Sequence, residues 1–105
     1  MDDERIRELF DGLGPVTIKH MFGGKGIYHD GLIVALGVDG EILLKADAQS
    51  APEFLSAGSR QWTYSGKNKP AAMPYWSIPD GALDDPEELA LWTRKAFEAA
   101  RRSKK

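Results

Sequence analysis

The sequence predicts an α+β fold, a single domain of order α-β-β-β-α-β-β-α in which helices pack on an antiparallel sheet. Three observations point there. Apolar residues recur at helical spacing near both ends of the chain, the middle holds alternating or continuously apolar runs, and two Asp-Gly pairs separate such runs where tight hairpins need them. At 105 residues the chain has the length of one domain, 1–105, with a core over 5–100 and a basic tail, 101–105, expected to fray.

The first helix starts at Asp2 or Asp3 as cap and carries Ile6, Leu9, Phe10 and Leu13 on one face, ending at Gly14-Pro15. Val16 to Phe22 then alternates. Its parity puts Val16, Ile18, His20 and Phe22 on one face and Thr17, Lys19 and Met21 on the other. Asp30-Gly31 and Asp39-Gly40 are hairpin turns flanking Leu32 to Val38, a strand apolar on both faces and therefore expected to be covered on both. Glu41 to Ala46 is its antiparallel partner. Ser50-Ala51-Pro52-Glu53 reads as a capping box opening a short helix through Phe54 and Leu55 to Gly58. Gln61 to Ser65 and Tyr75 to Ile78 are two further strands, with Trp62, Tyr64 and Trp76 able to share a face. Asp85-Pro86-Glu87-Glu88 opens the last helix, whose stripe of Leu89, Trp92, Ala96 and Ala99 or Ala100 packs on the sheet.

Composition narrows the function. Without cysteine there is neither a disulfide framework nor a thiolate metal site. An acidic N-terminus and the lack of any membrane-length apolar run make a cytoplasmic protein with no membrane association the expectation. Residues 1–100 hold ten Lys/Arg against sixteen Asp/Glu, a poor platform for a polyanion, so direct nucleic-acid binding is not expected. Yet no acid falls between Asp11 and Asp30 or between Glu53 and Asp80, and Lys19, Lys25, Arg60, Lys67 and Lys69 lie in those gaps.

The segment from His20 to Gly31 holds four of the eleven glycines and both histidines. Gly23-Gly24-Lys25-Gly26 lacks the spacing of a P-loop, and a dinucleotide fingerprint would need glycine where His29 stands. A turn or bulge is one reading of it; a nest of glycine amides around Lys25 that takes an anion is the other. His20 is expected at a core edge, and His29 beside Asp30 on a turn. No metal set and no nucleophile with a partner base can be assembled, so neither cofactor nor enzyme activity is expected. Lys45, alone in an apolar strand, either reaches the rim or faces a pocket on the second sheet surface.

His20 to Gly31, followed by Leu43-Leu44-Lys45-Ala46-Asp47, Trp62-Thr63-Tyr64, Met73-Pro74-Tyr75-Trp76, Pro79 and Asp84 to Trp92, resembles the N-terminal domain of the TfoX (Sxy) family of bacterial competence regulators. The likeness runs over about residues 5–100, with His20 where relatives commonly place arginine. It implies a secretion-chaperone-like α+β fold in a chain holding only the N-terminal type of domain. In the full regulators a second, helical domain follows, and the pair act as a transcriptional coactivator beside a cyclic-AMP receptor protein.

The expected function is thus a non-enzymatic, regulatory protein-interaction module, engaging a protein partner or a second copy as a homodimer. Its candidate surface is His20, Met21, Phe22, Gly23, Gly24, Lys25, Gly26, Lys45, Tyr64, Lys67 and Tyr75. The alternative is a small-molecule or anion-binding domain with a pocket at the glycine segment, built from Gly23, Gly24, Lys25, Lys45, Tyr64, Lys67 and Tyr75.

Overall fold

The computed structural model describes residues 2–21, 23–65 and 70–103. Its elements are α1 (Asp3–Leu9), β1 (Thr17–Met21), β2 (Gly24–His29), β3 (Leu32–Val38), β4 (Glu41–Lys45), α2 (Ala51–Ser56), β5 (Gln61–Ser65), β6 (Pro70–Ser77), a 3-10 turn (Asp80–Ala82) and α3 (Pro86–Ser103). All six strands join one antiparallel sheet in the order β1-β2-β3-β4-β6-β5. The α+β class and the alternation of helices with strand blocks are as expected. The glycine segment adds a strand to the first block, because Gly24 to His29 pairs with β1 on one side and β3 on the other.

Both Asp-Gly pairs form the expected turns, with positive φ at Asp30, Gly31, Asp39 and Gly40. A bulge between Ile27 and Tyr28 opposite β3 explains the doubly apolar strand. Ile27 pairs with Ala35 but Tyr28 with Ile33, which leaves Val34 over, and Val34 and Ala35 are both fully buried in the core. Leu36 and Val38, next along the strand, face the other way.

The helices share one core on one face of the sheet. Ile6, Leu9 and Phe10 of α1, Phe54 of α2 and Leu89, Trp92, Ala96 and Ala100 of α3 meet Ile27, Val34, Ala35, Ile42, Leu44 and Trp76. Phe54 lies 4.8 Å from the Trp92 ring and 6.2 Å from Trp76, so Trp76 faces the helices and does not join Trp62 and Tyr64. Those two rings meet edge-on at 5.9 Å elsewhere. A register shift between Gln61 and Thr63 separates the two sets.

Three local expectations change. First, α1 stops at Leu9 and closes in turns through Leu13, since Gly12 lies against Ala90 of α3, where a Cβ would come within 2.5 Å of the Ala90 Cβ. Second, the capping box does not form. Asp47 accepts from the Gln49 and Ser50 amides at 3.1 and 3.0 Å, while Glu53 reaches Lys95 at 2.6 Å. Third, α3 takes in the start of the basic tail: it runs to Ser103, and Arg102 Nε and Nη2 donate to the Asp47 carboxylate at 2.6 and 3.1 Å. Among the described residues, no helix is long and apolar enough to cross a membrane.

Candidate functional site

The segment chosen from sequence lies where two hollows meet at one corner of the sheet. On the helix side, a cleft of about 620 Å³ is bounded by Ile6, His20, Met21, Gly23, Gly24, Lys25, the Asp39-Gly40 turn and Glu41. On the opposite side, a cleft of about 510 Å³ is bounded by Met21, Gly23, Gly24, Lys25, Leu36, Val38, Asp39, Trp62, Tyr64 and Met73. Met21, Gly23, Gly24, Lys25 and Asp39 border both.

Charge decides what the helix-side cleft can hold. Cross-strand pairing of His20 with Lys25 puts both side chains toward α1. There Lys25 Nζ donates to Asp3 Oδ1 at 2.7 Å, and His20 Nε2 stands 3.8 Å from Asp3 Oδ2. The hydrogen bond from Lys25 holds the Asp3 carboxyl below the ordinary aspartate value. His20 keeps the expected parity but not the expected burial: β1 is an edge strand, and the imidazole remains 69% exposed. Nor do the described glycine amides gather into the expected anion nest, because Lys25 and Gly26 belong to the ladders on both sides and Gly24 pairs with Met21 of β1. With Asp3 on Lys25 and with Asp39 and Glu41 in the lining, the hollow has no excess of positive charge.

The opposite cleft is built by curvature. β1 and β5 are the two edges of a six-stranded sheet and would lie about 24 Å apart if it were flat. Yet Met21 of β1 and Trp62 and Tyr64 of β5 line the same hollow, so the hairpin β5–β6 curls over the face that bears no helix. Gly26 lets the floor close up: the position of a Cβ there is filled by the Met21 methyl at 2.7 Å, the Tyr28 ring at 3.1 Å and Ile33 at 3.5 Å. Tyr64 is 55% exposed at the rim.

Along the same face lie two lysine–tyrosine pairs. Lys19 Nζ stands 4.9 Å over the Tyr28 ring, and Lys45 Nζ 5.3 Å over the Tyr75 ring. Lys45 thus faces the second sheet surface, but neither it nor Tyr75 reaches the cleft lining. Tyr75 is a buried platform for its lysine, and burial raises its phenol pKa, with nearby Tyr28 adding to the shift. The ligand pocket expected from Gly23, Gly24, Lys25, Lys45, Tyr64 and Tyr75 is therefore divided: the first three meet Tyr64, while Lys45 and Tyr75 stand beyond Leu43. Phe22 and Lys67 lie outside the described residues.

His29 has a structural task that its position beside a turn did not suggest. Its Nδ1 donates to the Pro15 carbonyl at 2.7 Å, and its ring meets Phe97 of α3 edge-on at 4.9 Å. Lys19, Tyr28, Leu36, Val38, Trp62 and Met73 were not among the candidate surface residues read from sequence, although Lys19 stood in an acid-free stretch and Trp62 was expected to share a face with Tyr64. The parity of Thr17, Lys19 and Met21 was the available signal, because it already set these residues on a face away from Ile18. Among the described residues no group of three or more His, Cys, Asp or Glu side chains is placed to hold a metal ion.

No curated protein matches the chain. The TfoX N-terminal domain matches residues 8–100, from the end of α1 through the core-facing stripe of α3, and takes in every described lining residue of the cleft on the face opposite the helices. Over nearly its whole length, then, the chain belongs to the TfoX N-terminal domain family.

Proposed function

We propose that this is a non-enzymatic protein-interaction module of regulatory type, acting in the cytoplasm, which binds a partner protein or a second copy of itself through the concave face of its sheet. One observation carries the reading. All three helices cover one face, while the other presents an apolar, aromatic hollow with Tyr64 exposed at its rim, the kind of patch that marks interaction sites. Membership of the TfoX family supports a regulatory setting. The coactivator role implied by the resemblance would place a transcription-regulating protein on this surface.

The small-ligand alternative has a hollow on the helix side, but Lys25 there is held by Asp3 at 2.7 Å and two further acids line the wall, which disfavours an anion. A non-enzymatic reading also fits the histidines, since His29 is taken up by the Pro15 carbonyl and His20 is open to solvent.

The test is covalent capture in the native cell. A photoreactive phenylalanine analogue is placed at Tyr64, or at Leu91, which is 47% exposed on α3. Protein adducts, or crosslinked dimers of the chain, are expected from position 64 and not from position 91. Adducts of equal yield from both positions, or from neither, would remove the concave face from consideration.

A further inference from the structure

We infer that the occupant of the concave face is an acidic amphipathic segment, a stretch of a partner protein that alternates large apolar side chains with carboxylates. The inference rests on the interaction reading above and names the chemistry of the partner. The apolar half of the argument is the hollow itself. Met21, Leu36, Trp62 and Met73 line it together. Methionine side chains adapt their shape to what they contact, and the volume of about 510 Å³ falls within the range of about 300–1,000 Å³ usual for binding pockets.

The acidic half comes from the charges beside the hollow. Lys19 and Lys45 project from the same face, and among the described residues neither pairs with a carboxylate; each rests only on a tyrosine ring. Glu41, on the strand of Lys45, is already bound by Arg60 at 2.9 Å. Asp39, at the far rim, is the one acid among the cleft's described lining residues. Carboxylates of the occupant therefore lie toward Lys19 and Lys45, with its apolar residues in the hollow. A second copy placing the same face against this one would oppose lysine to lysine. A single-stranded nucleic acid stacks its bases on a row of open aromatic faces, whereas here the Tyr28 and Tyr75 rings are already covered by lysines, which leaves Trp62 and Tyr64 among the aliphatic side chains of Met21, Leu36, Val38 and Met73.

The test uses two labelled peptides with identical leucine and phenylalanine spacing, one with Glu and one with Lys at every remaining position, together with a labelled oligo(U), each titrated into the intact protein by fluorescence anisotropy at low and moderate salt. The Glu peptide is expected to bind at least about tenfold more tightly than the Lys peptide and to weaken as salt rises. In the double variant Lys19→Glu/Lys45→Glu the preference should invert, and gain of the Lys peptide shows that the variant is folded. Equal binding of the two peptides, unaltered by the double variant, would overturn the acidic partner while leaving the interaction face intact. Tighter binding of oligo(U) than of either peptide, lost in the double variant, would overturn it in favour of nucleic acid. Failure of both peptides to bind would overturn it too; the crosslink at position 64 then decides separately whether the face binds protein at all.

Discussion

A methyl group added at Gly12 and one added at Gly26 meet neighbours of different kinds. At Gly12 it comes within 2.5 Å of the Ala90 Cβ and 3.1 Å of the Ala90 Cα, parts of a helix that cannot give way locally. At Gly26 the nearest atom is the terminal methyl of Met21, at 2.7 Å, on a flexible side chain. Gly12→Ala is therefore expected to destabilise by about 1–3 kcal/mol through forced separation of α1 from α3, and Gly26→Ala by less than about 1 kcal/mol. Urea unfolding midpoints check both, and equal losses would contradict the contrast. These two contacts also mark what could be read in advance. The role of Gly26 in a turn or bulge was a sensible reading of a glycine cluster, but its partner Met21 becomes apparent only once the register sets the two on neighbouring strands. For His29 the sequence showed a neighbouring Asp30, while the contacts that hold it, Pro15 and Phe97, lie far away along the chain.

Among the elements, α2 depends most on a single side chain. In a helix of six residues Phe54 alone is buried, fully enclosed and seated against Trp76 and Trp92. Phe54→Ala should cost about 3–5 kcal/mol in denaturant unfolding, and a loss below about 1 kcal/mol would show that α2 is held by something else. The other end of the helical layer is held by charge. Hydrogen bonding from Arg102 pulls the Asp47 carboxyl from 3.8 down to about 2. A depressed carboxyl contributes stability that is complete above its unfolded value near 3.8 and disappears as pH falls through about 2. Because Arg102 is 36% exposed, solvent screening reduces the contribution to about 1 kcal/mol. Asp47→Asn keeps the acceptor for the turn amides and removes the charge. The stability gap between wild type and Asp47→Asn is expected to be constant above about pH 5 and to narrow between pH 4 and 2; a gap independent of pH would assign it to the turn. The sequence placed a helix here and located its start correctly, but assigned the cap to Ser50 and Glu53. A capping box is a local pattern, and Lys95, which takes Glu53 away, lies on another helix.

On the scale of the whole molecule the decisive property is curvature. Alternation along each strand reveals which residues share a face, and Lys19 with Met21 was legible that way. It cannot reveal that the two edges of the sheet approach each other, since this depends on bulges at Ile27/Tyr28 and Gln61/Thr63 and on a hairpin that turns over the open face. The curl can be measured in a chain that has no cysteine of its own. With Met21→Cys and Tyr64→Cys together, a bifunctional maleimide spanning about 10 Å should close an intramolecular link that a flat sheet, with edges about 24 Å apart, would forbid. Recovery of only singly modified chains would disprove the approach. One more consequence comes from the position of α3 after all six strands. The stripe from Leu89 to Ala100 covers Val34, Ala35, Ile42 and Leu44, so during synthesis those strands leave the ribosome well before the helix that shelters them. For that interval the nascent chain displays its future core to the cell, and its exposure to aggregation and chaperones is governed by the speed with which the final helix arrives.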